Sequence, residues 1–261
     1  MNGPRWLTGE ALRNRLLDLP PGPAEWQLAG VTPGDLAARG LVPLDDASGR
    51  FTDPAGGERF WPACRAAGEE CGPGVTVEEA LLRRDLTIHA MGLGGDGRLV
   101  DPAGGRGDLD AGRLRHPGPD FARHPVYLLS VAATAAELGR WGFRLAHGTH
   151  ALMKRMVADG AARGLDTGLV ARHWRRALEG TRPSAFLHVL HRCGALGHWC
   201  PRLARMWAGA AAHADVRPEA LGVLDEPGTS LHRFHRFLEV LPAQVAEEAK
   251  NVLDHKPALG T

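Results

Sequence analysis

The chain has little of several features that usually assign a protein to a class. Its 261 residues include one tyrosine, aromatic residues make up 6%, and the formal charges nearly cancel at +1. A balanced charge gives no overall attraction to nucleic acid, so any basic surface has to be local. No apolar run approaches the ~20 residues that a membrane-spanning helix needs, and residues 1–15 lack the apolar stretch of a signal peptide. We therefore expect a cytoplasmic protein that does not bind membranes.

The cysteines and histidines lack the spacing of a zinc site. Six residues separate Cys64 from Cys71, and six separate Cys193 from Cys200, whereas zinc knuckles have two to four. We therefore expect four free thiols in a reducing compartment. The histidine pairs, His188 with His191 and His232 with His235, have no identifiable third ligand, so they do not predict a zinc site.

The pattern of apolar residues divides the chain into two parts and predicts an α+β fold. Residues 1–117 are rich in Gly and Pro, with strands predicted at 26–29 and 98–100, a helix at 10–17, and a second helix that starts at a Thr76–Glu79 capping box and runs toward Asp85. From about residue 118 onward, apolar residues recur at helical spacing. The second half is therefore predicted to be all helical, with helices at 126–138, 150–160, 170–178, 184–193, 231–241 and 242–255.

Several motifs occur in an order that resembles one enzyme family. They are WLTGEALRN at residues 6–14, RRDLTIHA at 83–90, Asp101-Pro102 and Gly107-Asp108-Leu109. Together they resemble the class II tRNA nucleotidyltransferases, that is, the CCA-adding enzymes and their poly(A) polymerase relatives, over roughly residues 5–205. The resemblance implies a polymerase-β-type α/β nucleotidyltransferase head at 1–117, a helical neck at 118–183 and a helical body at 184–261.

The metal site that this resemblance implies is incomplete in the sequence. Nucleotidyl transfer uses two close carboxylates that hold two Mg²⁺ ions, and the family places them in an Asp-x-Asp pair just before the apolar strand that corresponds to residues 26–29. The aligned residues here are Pro23-Ala24-Glu25. Glu25 is thus the one candidate catalytic and metal-binding residue, with Mg²⁺ as the cofactor if the protein is active, and a solvated acid at a strand edge is the alternative. Asp18 and Asp35 are near in sequence, but their spacing does not favour a shifted site.

The nucleotide-binding positions implied by the resemblance are partly altered. Arg84 and Asp85 correspond to residues that contact the phosphate and ribose, and His89 stands in place of the family's asparagine. The alternative is that Arg83 and Asp85 survive as helix-capping or buried ion-pair residues that hold the head together. Arg123, His124 and Tyr127 stand where the family has the Glu-Asp pair and the Arg that read the incoming base, so selection of C and then A should be lost. Tyr127 either stacks on a base or packs internally.

The second half contains a candidate surface for RNA and two departures from the family. Arg172, Arg175, Arg176 and Arg182 would form a basic helical face for the backbone of a tRNA acceptor arm, or are separate solvated residues. The segment between Glu58 and Val75 looks shortened. The chain also ends early, and residues 215–228 only faintly resemble the start of a phosphohydrolase domain.

Three functional hypotheses follow from these features. The first is a relative of the CCA-adding enzymes that lacks ordinary CCA addition but keeps binding to tRNA, at its acceptor end, to other RNA or to a nucleotide. The second is a nucleotidyltransferase with altered metal ligation or a repurposed activity. The third is a non-catalytic subunit that binds a partner protein.

Overall fold

The computed structural model describes residues 5–44, 49–64, 71–211 and 219–255, and it divides the chain into two compact units, 1–121 and 122–261. The predicted α+β class is confirmed. The division into a neck and a body within the second half stays a prediction. Two predictions fall partly outside the described residues. They are the shortened segment between Glu58 and Val75, at residues 65–66, and the segment that resembles a phosphohydrolase domain, at residues 215–217.

The first unit is built on a twisted sheet flanked by short helices. Its strands are β1 (Arg5–Thr8), β2 (Glu25–Leu28), β3 (Val42–Pro43), β4 (Phe51–Thr52), β5 (Arg59–Pro62), β6 (Gly92–Gly94), β7 (Leu99–Val100) and β8 (Arg113–Leu114), and its helices are α1 (Gly9–Leu16), α2 (Pro33–Ala38), α3 (Val77–Leu81) and α4 (Gly105–Asp110). The first seven strands form one sheet in the order β3-β4-β5-β2-β1-β6-β7. Within it, β2 pairs with β5 in parallel, and the other pairs are antiparallel.

Capping boxes fix the starts of two helices in the first unit. Thr76 accepts a hydrogen bond from the backbone N–H of Glu79 and Glu79 accepts one from the N–H of Thr76, as the sequence predicts, although α3 ends at Leu81 instead of continuing toward Asp85. Thr32 and Asp35 form the same arrangement at α2, and these hydrogen bonds lower the pKa of Asp35. Asp35 is therefore a capping residue.

The second unit consists mainly of helices. They are α5 (Tyr127–Leu138), α6 (His147–Ala158), α7 (Thr167–Glu179), α8 (Ser184–Cys193), α9 (Leu196–Trp199), α10 (Pro201–Ala211), α11 (Glu219–Leu224), α12 (Ser230–Glu239) and α13 (Ala243–Asp254). The predicted helices and the helical second half are confirmed, with one two-residue strand, β9 (Arg144–Leu145), between α5 and α6. None of the helices in the described ranges is long and apolar enough to cross a bilayer.

The cysteines differ from the sequence prediction. Cys64 and Cys71 form a disulfide, so the prediction of four free thiols is wrong for this pair. Cys193 and Cys200 are free and buried, and burial raises the pKa of both thiols, that of Cys200 to about 12. The two bonded residues also form an isolated antiparallel bridge, which aligns their backbones. A pairing that depends on this alignment cannot be read from the spacing of the cysteines alone.

Candidate functional site

The candidate site of the first unit lies on one face of strands β2 and β5. The parallel register sets Glu25 opposite Arg59 and Gln27 opposite Trp61. Since alternate side chains of a strand point to opposite faces, these four share one face. The intervening apolar side chains point to the other face, where they pack in a core with Val31, Leu36, Leu41 and Phe51.

Glu25 is buried on this face between two arginines. Its side chain is 5% exposed, with Oε1 at 3.1 Å from Nη1 of Arg59 and Oε2 at 3.7 Å from Nη1 of Arg84. Gly9, with φ of +65°, lies so close that a Cβ there would be 2.0 Å from Oε2. The sequence alternative of a solvated acid at a strand edge is therefore wrong, because the carboxylate is enclosed and neutralised.

Arg84 is held by three neighbours on the same face. Besides Glu25, its Nη2 donates to Oε1 of Gln27 at 3.1 Å, and its guanidinium lies 3.8 Å from the ring centroid of Trp61. Gln27 in turn donates to the backbone carbonyl of Trp61. An arginine over an aromatic face gains a cation–π attraction that is larger when the pair is desolvated, and the Arg84 side chain is 6% exposed. Its position is thus fixed by interactions inside the protein.

A third arginine completes what we call the Glu25 cluster: Glu25, Arg50, Arg59, Trp61 and Arg84. The guanidinium of Arg50 lies 5.3 Å from the Trp61 ring centroid. Burial lowers the pKa of Arg50 to about 10, the charges of Glu25 and Glu10 oppose this shift, and the charges of Arg59 and Arg84 add to it. Since arginine is cationic at neutral pH, three guanidinium groups stand against the two carboxylates of Glu25 and Glu10, so positive charge exceeds negative charge here.

The Glu25 cluster does not fit a pair of divalent ions. Mg²⁺ requires oxygen ligands in octahedral geometry, but both oxygens of Glu25 face guanidinium groups. In the described part of the chain, no group of three or more His, Cys, Asp or Glu side chains could hold a metal ion. The position aligned with the family's first aspartate is Pro23, which is exposed and has no donor oxygen in its side chain. The arginines thus occupy the side of Glu25 that a metal would need.

Asp85 and His89 form a separate buried network. Oδ1 of Asp85 accepts a hydrogen bond from the backbone N–H of Leu86 at 2.8 Å and lies 2.9 Å from Nδ1 of His89, whose Nε2 is 3.0 Å from Nη1 of Arg13. Since arginine only donates, Nε2 accepts and the ring proton is on Nδ1, directed at Asp85. These contacts favour the structural alternative for Asp85 and His89, and contact with a nucleotide stays a prediction.

The remaining family motifs hold this segment in place. Oδ2 of Asp108 accepts from the hydroxyl of Thr87 and from Nε of Arg115, both at 2.7 Å. Gly105 is packed against the backbone of Thr87, where a Cβ would be 2.0 Å from the carbonyl oxygen. Asp101 accepts from the backbone N–H of Gly105 at 2.6 Å and so caps α4. The motifs therefore support the backbone from which Arg84 and Asp85 project, which explains their spacing in the sequence.

The predicted base-reading residues belong to the second unit. Arg123 is exposed, whereas His124 and Tyr127 are half-buried with their ring centroids 4.8 Å apart. Tyr127, the first residue of α5, therefore already has an aromatic neighbour three residues earlier in the chain, which favours the packing alternative. Binding of a base by these residues stays a prediction.

The predicted RNA-binding arginines are largely engaged in contacts within the second unit. Nη2 of Arg175 donates to the backbone carbonyl of Leu253 near the end of α13, and Nε of Arg176 donates to Oε1 of Glu137 at 2.6 Å. Nε of Arg182 lies 3.6 Å from Oδ2 of Asp225. These three have structural partners, so a shared basic face that includes them and the half-buried Arg172 stays a prediction.

Sequence reasoning missed four residues of the site: Gln27, Arg50, Arg59 and Trp61. The signal for three of them is present, because Glu-Trp-Gln-Leu at 25–28 and Arg-Phe-Trp-Pro at 59–62 both alternate polar or amphipathic with apolar side chains. Such alternation is typical of strands with one face in the core. The parallel pairing of these strands brings residues 34 positions apart into contact, as for Arg59 and Glu25. Nothing in the local sequence marks Arg50 as part of this cluster.

The chain is similar in sequence to curated CCA proteins. No protein-family model matches the chain. The "Multifunctional CCA protein" of Methylococcus capsulatus is 40% identical over 211 residues, which is 77% of this chain and 50% of the relative. The protein of the same name from Laribacter hongkongensis is 38% identical over 236 residues, 85% of this chain and 57% of the relative. The chain thus spans about half the length of these curated relatives.

Solved structures show the same fold. A tRNA nucleotidyltransferase complexed with a primer tRNA and an incoming ATP analog superposes with a TM-score of 0.66 at 21% identity, and covers 98% of this chain and 77% of its own. The Thermotoga maritima CCA-adding enzyme complexed with tRNA gives a TM-score of 0.63 at 20% identity, covering 98% and 63%. The motifs, the fold and the identity to the curated relatives agree, and the chain therefore belongs to the class II tRNA nucleotidyltransferase family.

Proposed function

We propose that this protein is a member of the family that does not add CCA and instead binds RNA, at the acceptor end of tRNA, without a divalent ion. The observation that carries the proposal is the ion pairing of buried Glu25 with Arg59 and Arg84. A carboxylate enclosed by two guanidinium groups is a poor ligand for Mg²⁺, whereas two-metal transfer needs at least two free carboxylates.

The same arginines supply the positive charge that binding to the phosphate backbone of RNA requires. The Glu25 cluster carries more positive than negative charge, and the Arg59 side chain is 30% exposed, which leaves part of its guanidinium accessible to a phosphate. Arginine binds phosphate through two parallel N–H donors. Solved relatives of the same fold are complexed with a primer tRNA and an ATP analog in one case and with tRNA in another, which supports RNA as the ligand class.

The first experiment measures catalysis directly. The protein is incubated with labelled CTP and ATP, Mg²⁺ or Mn²⁺, and tRNA that lacks the 3′ CCA, beside an active CCA-adding enzyme. We expect no incorporation above background. Incorporation that Glu25→Ala abolishes would contradict the proposal and favour the alternative of a nucleotidyltransferase with altered metal ligation.

The second experiment measures binding in a gel shift with tRNA that has or lacks the 3′ CCA. We expect a Kd below roughly 10 μM at moderate salt, equal with Mg²⁺ and with EDTA, and weakening with salt because phosphate contacts release counterions. Arg59→Gln should weaken binding several-fold, whereas Arg98→Gln, at an exposed turn of the same unit, should not. Binding that requires Mg²⁺, or that both variants leave unchanged, would refute the role of the cluster.

A further inference from the structure

The second unit contains a cavity that no part of the proposed function uses. Its volume is about 430 Å³, and it lies among α5, α6, α8, α11 and β9. We call it the basic cavity because six of its lining residues are arginines or histidines: Arg144, His147, His150, Arg182, His188 and Arg192. None of its lining residues is acidic.

The positive charge of the basic cavity is only partly compensated. Asp225 is the carboxylate beside it, and its oxygens already accept hydrogen bonds from the backbone N–H and the hydroxyl of Ser184 and lie near Arg182. Arg144 and Arg192 are exposed, and neither forms an ion pair with a carboxylate of the described residues. Two guanidinium groups therefore face the opening without a negative partner in that part of the chain.

The positive charges around the basic cavity also act on His150, which lines it. Its Nε2 lies 3.2 Å from the backbone carbonyl of Arg192, so the ring is fixed against α8. Burial lowers the pKa of His150, the hydrogen bond with the carbonyl of Arg192 opposes this shift, and the positive charges of Arg192 and Lys154 add to it. An anion in the cavity would compensate this repulsion.

Another part of the cavity lining is apolar, and we call it the apolar wall. Phe143, Leu145, Val189 and Leu221 line it, and Phe143 and Leu145 remain half-buried, so part of their surface faces the opening. Ligand pockets of ~300–1,000 Å³ that combine apolar walls with a few convergent polar groups hold small organic molecules. A ligand that matches both walls has an anionic group and an apolar or aromatic part.

We infer that the basic cavity binds a phosphate-bearing nucleotide, with the phosphate between Arg144 and Arg192 and the base or sugar against Phe143 and Leu145. Phosphate suits the arginines because its oxygens accept from the planar fork of a guanidinium in pairs. A flat base suits the apolar wall because every base has a face that stacks on an aromatic ring, whatever the sequence. The nucleotide is either free or part of an RNA strand, since both present the same chemistry.

The site is independent of the Glu25 cluster, because all of its lining residues belong to the second unit. Variants therefore separate the two inferences. Arg144→Ala and Arg192→Ala remove the basic cavity's cations, Arg59→Gln tests the cluster, and Arg155→Ala is the matched control, an exposed arginine on α6 outside the cavity.

The experiment is isothermal titration calorimetry of the full chain with inorganic phosphate, CMP, AMP, cytidine, and a short single-stranded RNA. We expect CMP or AMP, or the RNA, to bind, and cytidine to bind at least tenfold more weakly than CMP. Each of the two alanine variants should weaken binding about tenfold, because each removes charge-assisted hydrogen bonds to the phosphate. Arg155→Ala should leave binding unchanged, and circular dichroism with thermal unfolding checks that every variant is folded.

The outcomes decide the inference and identify the source of the phosphate. Binding of CMP or AMP that is lost in both alanine variants supports a free-nucleotide site, and binding of the RNA alone, lost in the same variants, supports an RNA-backbone site. Binding of inorganic phosphate with the same affinity as CMP would refute the role of the apolar wall. Equal binding of cytidine and CMP, or no loss in the folded variants relative to Arg155→Ala, would overturn the inference.

Discussion

The Glu25→Gln variant tests whether the carboxylate of Glu25 is structural or binds metal. The two roles predict changes of opposite sign in the stability of the protein. Carboxylates kept together for metal binding repel each other, so removing one often stabilises the folded protein. Glu25 is instead enclosed by two arginines, with side-chain exposures of 5% for Glu25 and 6% for Arg84. Glutamine preserves the shape of the side chain and removes only the charge, so we expect the protein to become less stable.

The expected magnitude follows from the two ion pairs. At 3.7 Å, the Glu25–Arg84 attraction is ~4.5 kcal/mol with an effective dielectric constant of about 20. Arg84 keeps its contacts with Gln27 and Trp61 in the variant, and the Arg59 pair adds little because Arg59 is 30% exposed. Breaking one buried pair typically costs about 3–5 kcal/mol, and we expect a loss near the lower end, about 3 kcal/mol.

The assay is urea denaturation at pH 7.5 and low salt, with thermal unfolding as a second measurement. A loss of about 3 kcal/mol corresponds to a Tm lower by roughly 6–12 °C for a protein of this size. Glu78→Gln is the control, because Glu78 is exposed on α3 in the same unit, and it should change stability by less than about 0.5 kcal/mol. Adding Mg²⁺ or Mn²⁺ should not change the Tm of the wild-type protein.

Two results would refute this reasoning. An unchanged or higher Tm for Glu25→Gln would mean that the arginines do not depend on the carboxylate. A Tm of the wild-type protein that rises with Mn²⁺ concentration, and no longer does so in Glu25→Gln, would mean that Glu25 binds metal, because a ligand that binds only the folded state raises its stability.

The remaining predictions concern the backbone beside Glu25, the thiols and the response to acid. Gly9→Ala should destabilise the protein by about 2 kcal/mol or more, since φ of +65° disfavours a side chain and the new Cβ would overlap Oε2 of Glu25; urea denaturation measures it, and a loss under 0.5 kcal/mol would contradict it. Thiol titration in denaturant should find two reactive thiols before reduction and four after; four before reduction would rule out the disulfide. Burial lowers the pKa of His150 and His191, so the unfolded chain binds more protons; stability is then fully present above their ordinary pKa and falls as the pH drops below about 6.5. His150→Gln should flatten this acid dependence in thermal unfolding between pH 7.5 and 5, and an unchanged slope would contradict the assignment.

Local patterns in the sequence predicted the helices well but only two strands of the seven-stranded sheet, β2 and β7. Thr76 and Glu79 form the predicted capping box, and the helix predicted at residues 184–193 spans Ser184–Cys193. These features depend on side chains three or four residues apart, so the sequence contains them directly. The fold class follows from the same patterns, because strands precede helices along the chain.

The candidate site was less predictable because its contacts join distant segments. The burial of Glu25 depends on Arg59, Arg84 and Gly9, which the sheet and the following helix bring together. The disulfide likewise depends on how the backbones of Cys64 and Cys71 align. A sequence pattern shows that an acid is present at residue 25, but only the strand pairing shows that its neighbours are cations.

The arrangement around Glu25 also explains why an aspartate at position 23 alone should not create a two-metal site. An isolated buried carboxylate is unstable unless a cation or several hydrogen bonds compensate it, and in this chain the compensation comes from Arg59 and Arg84. Pro23 is exposed two residues earlier, so an aspartate there would add a second carboxylate while both oxygens of Glu25 remain paired. A metal ion would have to displace at least one guanidinium group, and the displaced arginine would then lose its partner. The arginines and the acid therefore stabilise each other, and a two-metal site here would need changes at the arginines as well as at Pro23.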